Sequence, residues 1–91
     1  MSGATAATAE IRNKRGLHAR ASAKFVTLAD GFDADVEVEK DGVTAPGTSI
    51  MSLMMLAAGI GDTIAITATG PEADAAVAAL VDLVETKFGE E

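Results

Sequence analysis

The chain has one imidazole, His18, and four cations stand close to it in sequence: Lys14, Arg15, Arg20 and Lys24. These are four of only seven basic residues, in a chain with fourteen acidic residues and a formal charge of −7. An imidazole has a solution pKa of about 6.5, is substantially neutral near pH 7, and can act as a nucleophile. His18 lies where a loop becomes a helix: Gly16 permits a sharp turn, and apolar residues recur at helical spacing from Ala19 onward. The N–H groups of a helix's first turn lack intrahelical partners and carry roughly half a positive charge. Such an end attracts anions, phosphate included. Arg20 follows two residues later, and a guanidinium grips phosphate oxygens with paired bonds. The combination suits a histidine that receives a phosphoryl group. On spacing alone His18 also reads as an ordinary surface residue or a helix cap. No local carboxylate or second base is visible, so a hydrolytic triad is not supported.

Composition narrows the field. Ninety-one residues, 48% of them hydrophobic, are enough for one domain with one modest core. A chain of this size buries roughly 60–70% of its unfolded surface. Cysteine is absent, which excludes disulfides and thiolate metal sites, and one histidine excludes a histidine-rich zinc site. No cofactor or metal is expected. The acidic balance argues against nucleic acid as a partner. No apolar run approaches the ~20 residues of a membrane span, so no membrane insertion is expected. The opening "MSGATAATA" has neither a basic end nor an apolar core and does not read as a signal peptide. Residues 1–6 read as a flexible tail, residues 7–91 as the domain, and the whole as a soluble, cytoplasmic monomer.

The elements that must position His18 follow from periodicity. "TAEIRN" reads as a short strand. Ala21, Phe25, Leu28 and Ala29 form the apolar stripe of a helix that ends at Asp30-Gly31. Ala34, Val36 and Val38 alternate with acids as a half-buried strand. Asp41-Gly42 signals a tight hairpin, "VTA" returns, and Pro46-Gly47 breaks the strand. Thr48 or Ser49 caps a short helix, "IMSLMML", and "DTIAITATG" alternates again. The last helix has Pro71 in its first turn and a stripe of Ala73, Val77, Leu80, Val81, Val84 and Phe88. The order is β-α-β-β-α-β-α. It predicts an α+β fold in which an antiparallel or mixed four-stranded sheet carries three helices on one face.

The short helix is apolar nearly all round, and so small a domain cannot wrap it completely. Ile50, Leu53 and Leu56 or Ala57 are placed inward, with Met51, Met54 and Met55 partly exposed. Methionine suits a surface that fits several partners, although these methionines also read as core filler. Ser49 reads as an N-cap, Ser22 as a helix surface residue and Ser52 as the edge of the apolar patch.

"GLHARASAKFV", Gly16 to Val26, resembles the active-site signature of HPr, the histidine-containing phosphocarrier family of the bacterial phosphoenolpyruvate-dependent phosphotransferase system. "TSIMSLMML", Thr48 to Leu56, resembles that family's second signature. The resemblance runs from about Ala7 to Phe88 and implies a four-stranded antiparallel sheet in an open-faced β-sandwich. It implies that His18 is phosphorylated through Nδ1, that Arg20 steadies the phosphoryl group, and that the backbone N–H groups of Ala19 and Arg20 face it. It makes Ser49 the position phosphorylated by HPr kinase/phosphorylase in many bacteria. It implies docking through the short helix, with Ile50, Met51, Met54 and the neighbouring Lys24. Where the family usually has proline after the arginine, this chain has Ala21.

The implied function is a phosphoryl-group carrier rather than an enzyme. Enzyme I passes the group to His18, and His18 passes it to an EIIA-type protein. Two branches stay open: sugar uptake, or a regulatory, nitrogen-related relay without sugar transport. A docking module in which His18 is only a cap is the rival from another class.

Overall fold

Alternation of apolar and polar residues yields four strands, seen in a computed structural model that describes residues 4–90. They are β1 (Thr5–Glu10), β2 (Asp35–Lys40), β3 (Val43–Pro46) and β4 (Thr63–Thr69). All neighbours are antiparallel, in the order β1-β4-β2-β3. Direct cross-strand partners share a face, and the register sets apolar residues opposite one another. Ala9 faces Ile64, Ala7 and Val38 both flank Ile66, Val36 faces Ala68, and Ala45 faces Val38. Thr8, Glu10, Glu37 and Thr63 lie exposed on the other face. The hairpin is as tight as expected: Asp41 (φ 53°) and Gly42 (φ 83°) join Lys40 directly to Val43. Two consecutive positive φ values match the right-handed twist of the flanking strands.

Helices α1 (Ala19–Asp30), α2 (Ile50–Met55) and α3 (Ala73–Glu85) cover the apolar face. The expected α+β open-faced sandwich is therefore the observed architecture. Ala21, Phe25 and Ala29 of α1 and Ala73, Ala76, Val77, Leu80 and Val84 of α3 enter the core. Leu28 and Val81 are only half-buried at the margins of their stripes. The outer rim of β1 is bound to α3: the Glu10 N–H donates to Glu85 Oε2 (3.2 Å), and the Thr5 hydroxyl donates to the Asp74 carboxylate. No described helix is long and apolar enough to cross a membrane.

Several boundaries differ from the sequence expectation. β1 begins at Thr5, so Thr5 and Ala6 are paired with Ala68 and Thr67 and are not tail. Alanine and threonine alternate with little hydrophobic contrast, which hides the strand. Residues 1–3 lie outside the described residues. Ile11 leaves the sheet and donates its N–H to Asp62 O (2.8 Å). α1 ends at Asp30 as expected, but Gly31 stays right-handed (φ −78°) and is no left-handed cap. Pro71 stands before α3, whose N-cap is Glu72. α3 stops at Glu85, and Phe88 reaches the core by a separate short turn, Lys87–Gly89. Ser22, read as a surface residue, is fully buried and donates to Leu17 O (3.2 Å).

Candidate functional site

The loop before α1 is laced to the loop after α2. Leu17, buried, donates its N–H to Ala58 O (3.0 Å), and Gly61 donates to Ile11 O (2.8 Å). Gly16 (φ +62°) passes so close that a Cβ there would lie 2.3 Å from Ala58 O and 2.8 Å from Gly59 Cα. The buried Asn13 amide donates to Gly16 O (2.9 Å) and closes the loop on itself. His18 follows as the N-cap of α1, in extended backbone (φ −73°, ψ 179°). Its ring cannot drift: each end is engaged.

Nδ1 accepts the Arg20 N–H at 3.3 Å, so that nitrogen presents a lone pair. Nε2 lies 2.6 Å from Glu90 Oε2, and Glu90 Oε1 accepts from Asn13 Nδ2 (3.2 Å). Glu90's carboxyl is held below the usual carboxylate range, chiefly by the hydrogen bond with His18, with a smaller contribution from Asn13; burial opposes both. Glu90 reaches the site because Lys87 (φ 64°), Phe88 (φ 54°) and Gly89 (φ 76°) turn the chain sharply after α3. Phe88 is 1% exposed, and its carbonyl accepts from Lys24 Nζ (2.8 Å).

Ala19 and Arg20 stand exposed in the first turn of α1, with Arg20 free of any carboxylate ion pair among the described residues. Lys14 and Arg15 are exposed in the preceding loop. Lys24 is on the same helix, but its ammonium is turned onto the Phe88 carbonyl.

α2 packs on α1 and β3. Ser49 caps it: its Oγ accepts from the Ser52 N–H (3.1 Å) and donates to Ser52 Oγ (2.9 Å). Leu53 and Leu56 are buried, whereas Met51 and Met55 are 70% and 77% exposed. Ile50, placed inward from the sequence, is 41% exposed, and Ala57 is exposed too. A six-residue helix offers the core one short ridge, and Leu53 and Leu56 fill it. Met54 on the helix and Ile60 in the loop that braces Gly16 are exposed as well. Sequence reasoning missed Asn13, Ile60 and Glu90. Asn13 closes the segment read as the first strand, Ile60 and Glu90 belong to no apolar stripe or motif, and no local spacing links residue 90 to residue 18.

The sequence and the fold have close counterparts. The family sequence model described as "PTS HPr component phosphorylation site" matches residues 5–86. The chain belongs to the HPr family. It is 48% identical over 80 residues to the phosphocarrier protein HPr of Cupriavidus necator, covering 88% of this chain and 90% of the relative. It is 44% identical over 80 residues to the phosphocarrier protein NPr of Shewanella violacea, covering 88% of each. The crystal structure of HPr-C-His from Thermoanaerobacter tengcongensis superposes with a TM-score of 0.91 at 45% identity, covering 96% of this chain and 98% of that one. This HPr-family chain is a phosphocarrier of the phosphotransferase system.

Proposed function

We propose that His18 is the residue that carries the phosphoryl group, through Nδ1. One observation carries this reading: the His18 ring caps α1 with the Nδ1 lone pair facing the Arg20 N–H. When phosphorus bonds to Nδ1, the Arg20 N–H and its helix neighbours are placed to donate to the new phosphoryl oxygens. The free Arg20 guanidinium adds a charge-assisted grip. Phosphorylated Enzyme I supplies the group and an EIIA-type protein removes it. The apolar face of Ile50, Met51 and Met54 supports docking of both, because flexible side chains repack against different surfaces. Lys24 adds its charge to this end of the molecule, although its ammonium is already bound to the Phe88 carbonyl. The exposed Lys14, Arg15 and Arg20 steer acidic partner surfaces toward this end of an otherwise acidic body.

The test is a mass shift after incubation with Enzyme I, magnesium and phosphoenolpyruvate, in parallel with His18→Ala. The expected result is one acid-labile phosphoryl group on the wild-type chain and none on the variant. Wild-type chain left unmodified by an active Enzyme I would sink the reading in favour of a docking module. Relatives named HPr and NPr match at similar identity, and the two branches differ in the protein that accepts the group. Offering the phosphorylated chain to EIIA proteins of the sugar and nitrogen-related branches separates them.

Ser49 is proposed as the regulatory position, the target of HPr kinase/phosphorylase where that enzyme is present. A phosphate there places about −2 charges beside the docking face. Ser49→Asp keeps an N-cap oxygen and adds a charge. It is expected to weaken Enzyme I docking roughly tenfold, about 1.4 kcal/mol, with little change in melting temperature. Titration of the transfer rate against Enzyme I checks this, and an unchanged half-saturation point removes the regulatory role.

A further inference from the structure

We infer that Glu90 is a positioning residue for the transfer: it holds the proton on His18 Nε2 and so keeps Nδ1 unprotonated, with its lone pair available to phosphorus. The inference rests on the acceptor role proposed above for His18. A carboxylate can only accept, so at 2.6 Å the Nε2 atom donates. Nδ1 accepts the Arg20 N–H and is therefore the bare nitrogen. Of the two contacts, the one to Arg20 is long, at 3.3 Å, and joins neutral groups. The contact to Glu90 is short and charge-assisted, so Glu90 decides which tautomer prevails.

The carboxylate is itself held in place. Asn13 donates to its other oxygen, Phe88 is locked in the core two residues earlier, and Lys24 grips the Phe88 carbonyl. Left-handed backbone is strained for a residue with a Cβ, and two such residues, Lys87 and Phe88, lie in this return. The anchors hold a conformation the chain would otherwise leave. Glu90's lowered pKa agrees with a carboxylate that stays charged in this contact.

The step balances. The Nδ1 lone pair forms the new N–P bond. The bond between phosphorus and the donor atom of phosphorylated Enzyme I breaks, and its electron pair stays with that donor atom. The proton on Nε2 stays there and remains shared with Glu90. The ring gains positive character on phosphorylation, and the carboxylate opposite stabilises it. With the proton on Nδ1 instead, that nitrogen has no lone pair with which to attack.

The test uses the full chain with Glu90→Gln, which preserves size and an acceptor oxygen but removes the charge. Three quantities are read: the limiting rate of transfer from phosphorylated Enzyme I, the Enzyme I concentration at half that rate, and the ring nitrogen chemical shifts of His18. The expected result is a limiting rate lower by roughly tenfold, the scale for loss of an orienting partner behind a reactive imidazole. The half-saturation point should not move, and the nitrogen shifts should show a mixture of tautomers. An unchanged rate overturns the inference, whatever the shifts. So does a slower rate with the Nε2–H tautomer intact, which assigns the loss to structure. A wild-type chain that takes up no phosphoryl group overturns the acceptor reading and the transfer half of this inference. The nitrogen shifts still decide whether Glu90 sets the ring.

Discussion

Phe88→Ala is expected to lower the melting temperature by more than about 12 °C. Truncating a fully buried phenylalanine costs about 3–5 kcal/mol, from lost transfer free energy and the cavity left behind. Phe88 is 1% exposed and among the largest fully buried side chains. In a domain of this size each kcal/mol moves the midpoint by roughly 4–8 °C. The effect has a second part. Phe88 seats the return that follows α3, and two non-glycine residues there are left-handed. Without the ring in the core nothing offsets that conformation, so the Lys24 and Glu90 contacts loosen together. Thermal unfolding measures the first part, and hydrogen exchange at the amides of residues 86–90 the second. A shift below about 5 °C would mean that the neighbouring core collapses into the gap.

Gly16→Ala is expected to cost about 2–3 kcal/mol and to slow phosphoryl uptake by more than tenfold. A left-handed alanine accounts for about 1–2 kcal/mol. The remainder is steric, because the new Cβ falls 2.3 Å from a backbone oxygen, Ala58 O, which cannot rotate aside. The loops must part, and the Leu17 N–H to Ala58 O bond (3.0 Å), worth about 1 kcal/mol, goes with them. Since Leu17 precedes His18, the imidazole moves as well. Gly42→Ala is the control: Gly42 is also left-handed (φ +83°), but nothing lies within 4 Å of its Cβ position. It should lose only the conformational part and keep its uptake rate. Urea unfolding and phosphorylation time courses on both variants check this. Equal losses of uptake would mean that the loop contact does not position His18.

Much of this was written in local pattern. Period-2 alternation at Val36–Val38 and Ile64–Ala68 and the Asp41-Gly42 turn correspond to observed elements, because each signal is complete within a few residues. The His18 cap is equally local, since a helix start and its capping residue adjoin. What escaped was tertiary. Glu90 meets His18 across 72 positions, and nothing near either residue encodes the meeting. Ile50 sits on an apolar helix, but a pattern does not say how much core six residues can reach. Ser22 looked solvated because its type is polar, although the Leu17 carbonyl satisfies it inside. Lys24 looked free for partners because the carbonyl that binds it lies 64 residues away.

The strand order also bears on self-association. An open sheet ends in two rows of backbone groups, and each row is a template on which another chain can add a strand. Here those rows belong to β1 and β3. The row on β1 is already engaged from the side, as the Glu10 N–H is taken by Glu85 and Thr5 is tied to Asp74. The row on β3 is only four residues long and ends in Pro46, which has no N–H to offer. An incoming strand would find one donor already taken on the first edge and a short row that ends without a donor on the second.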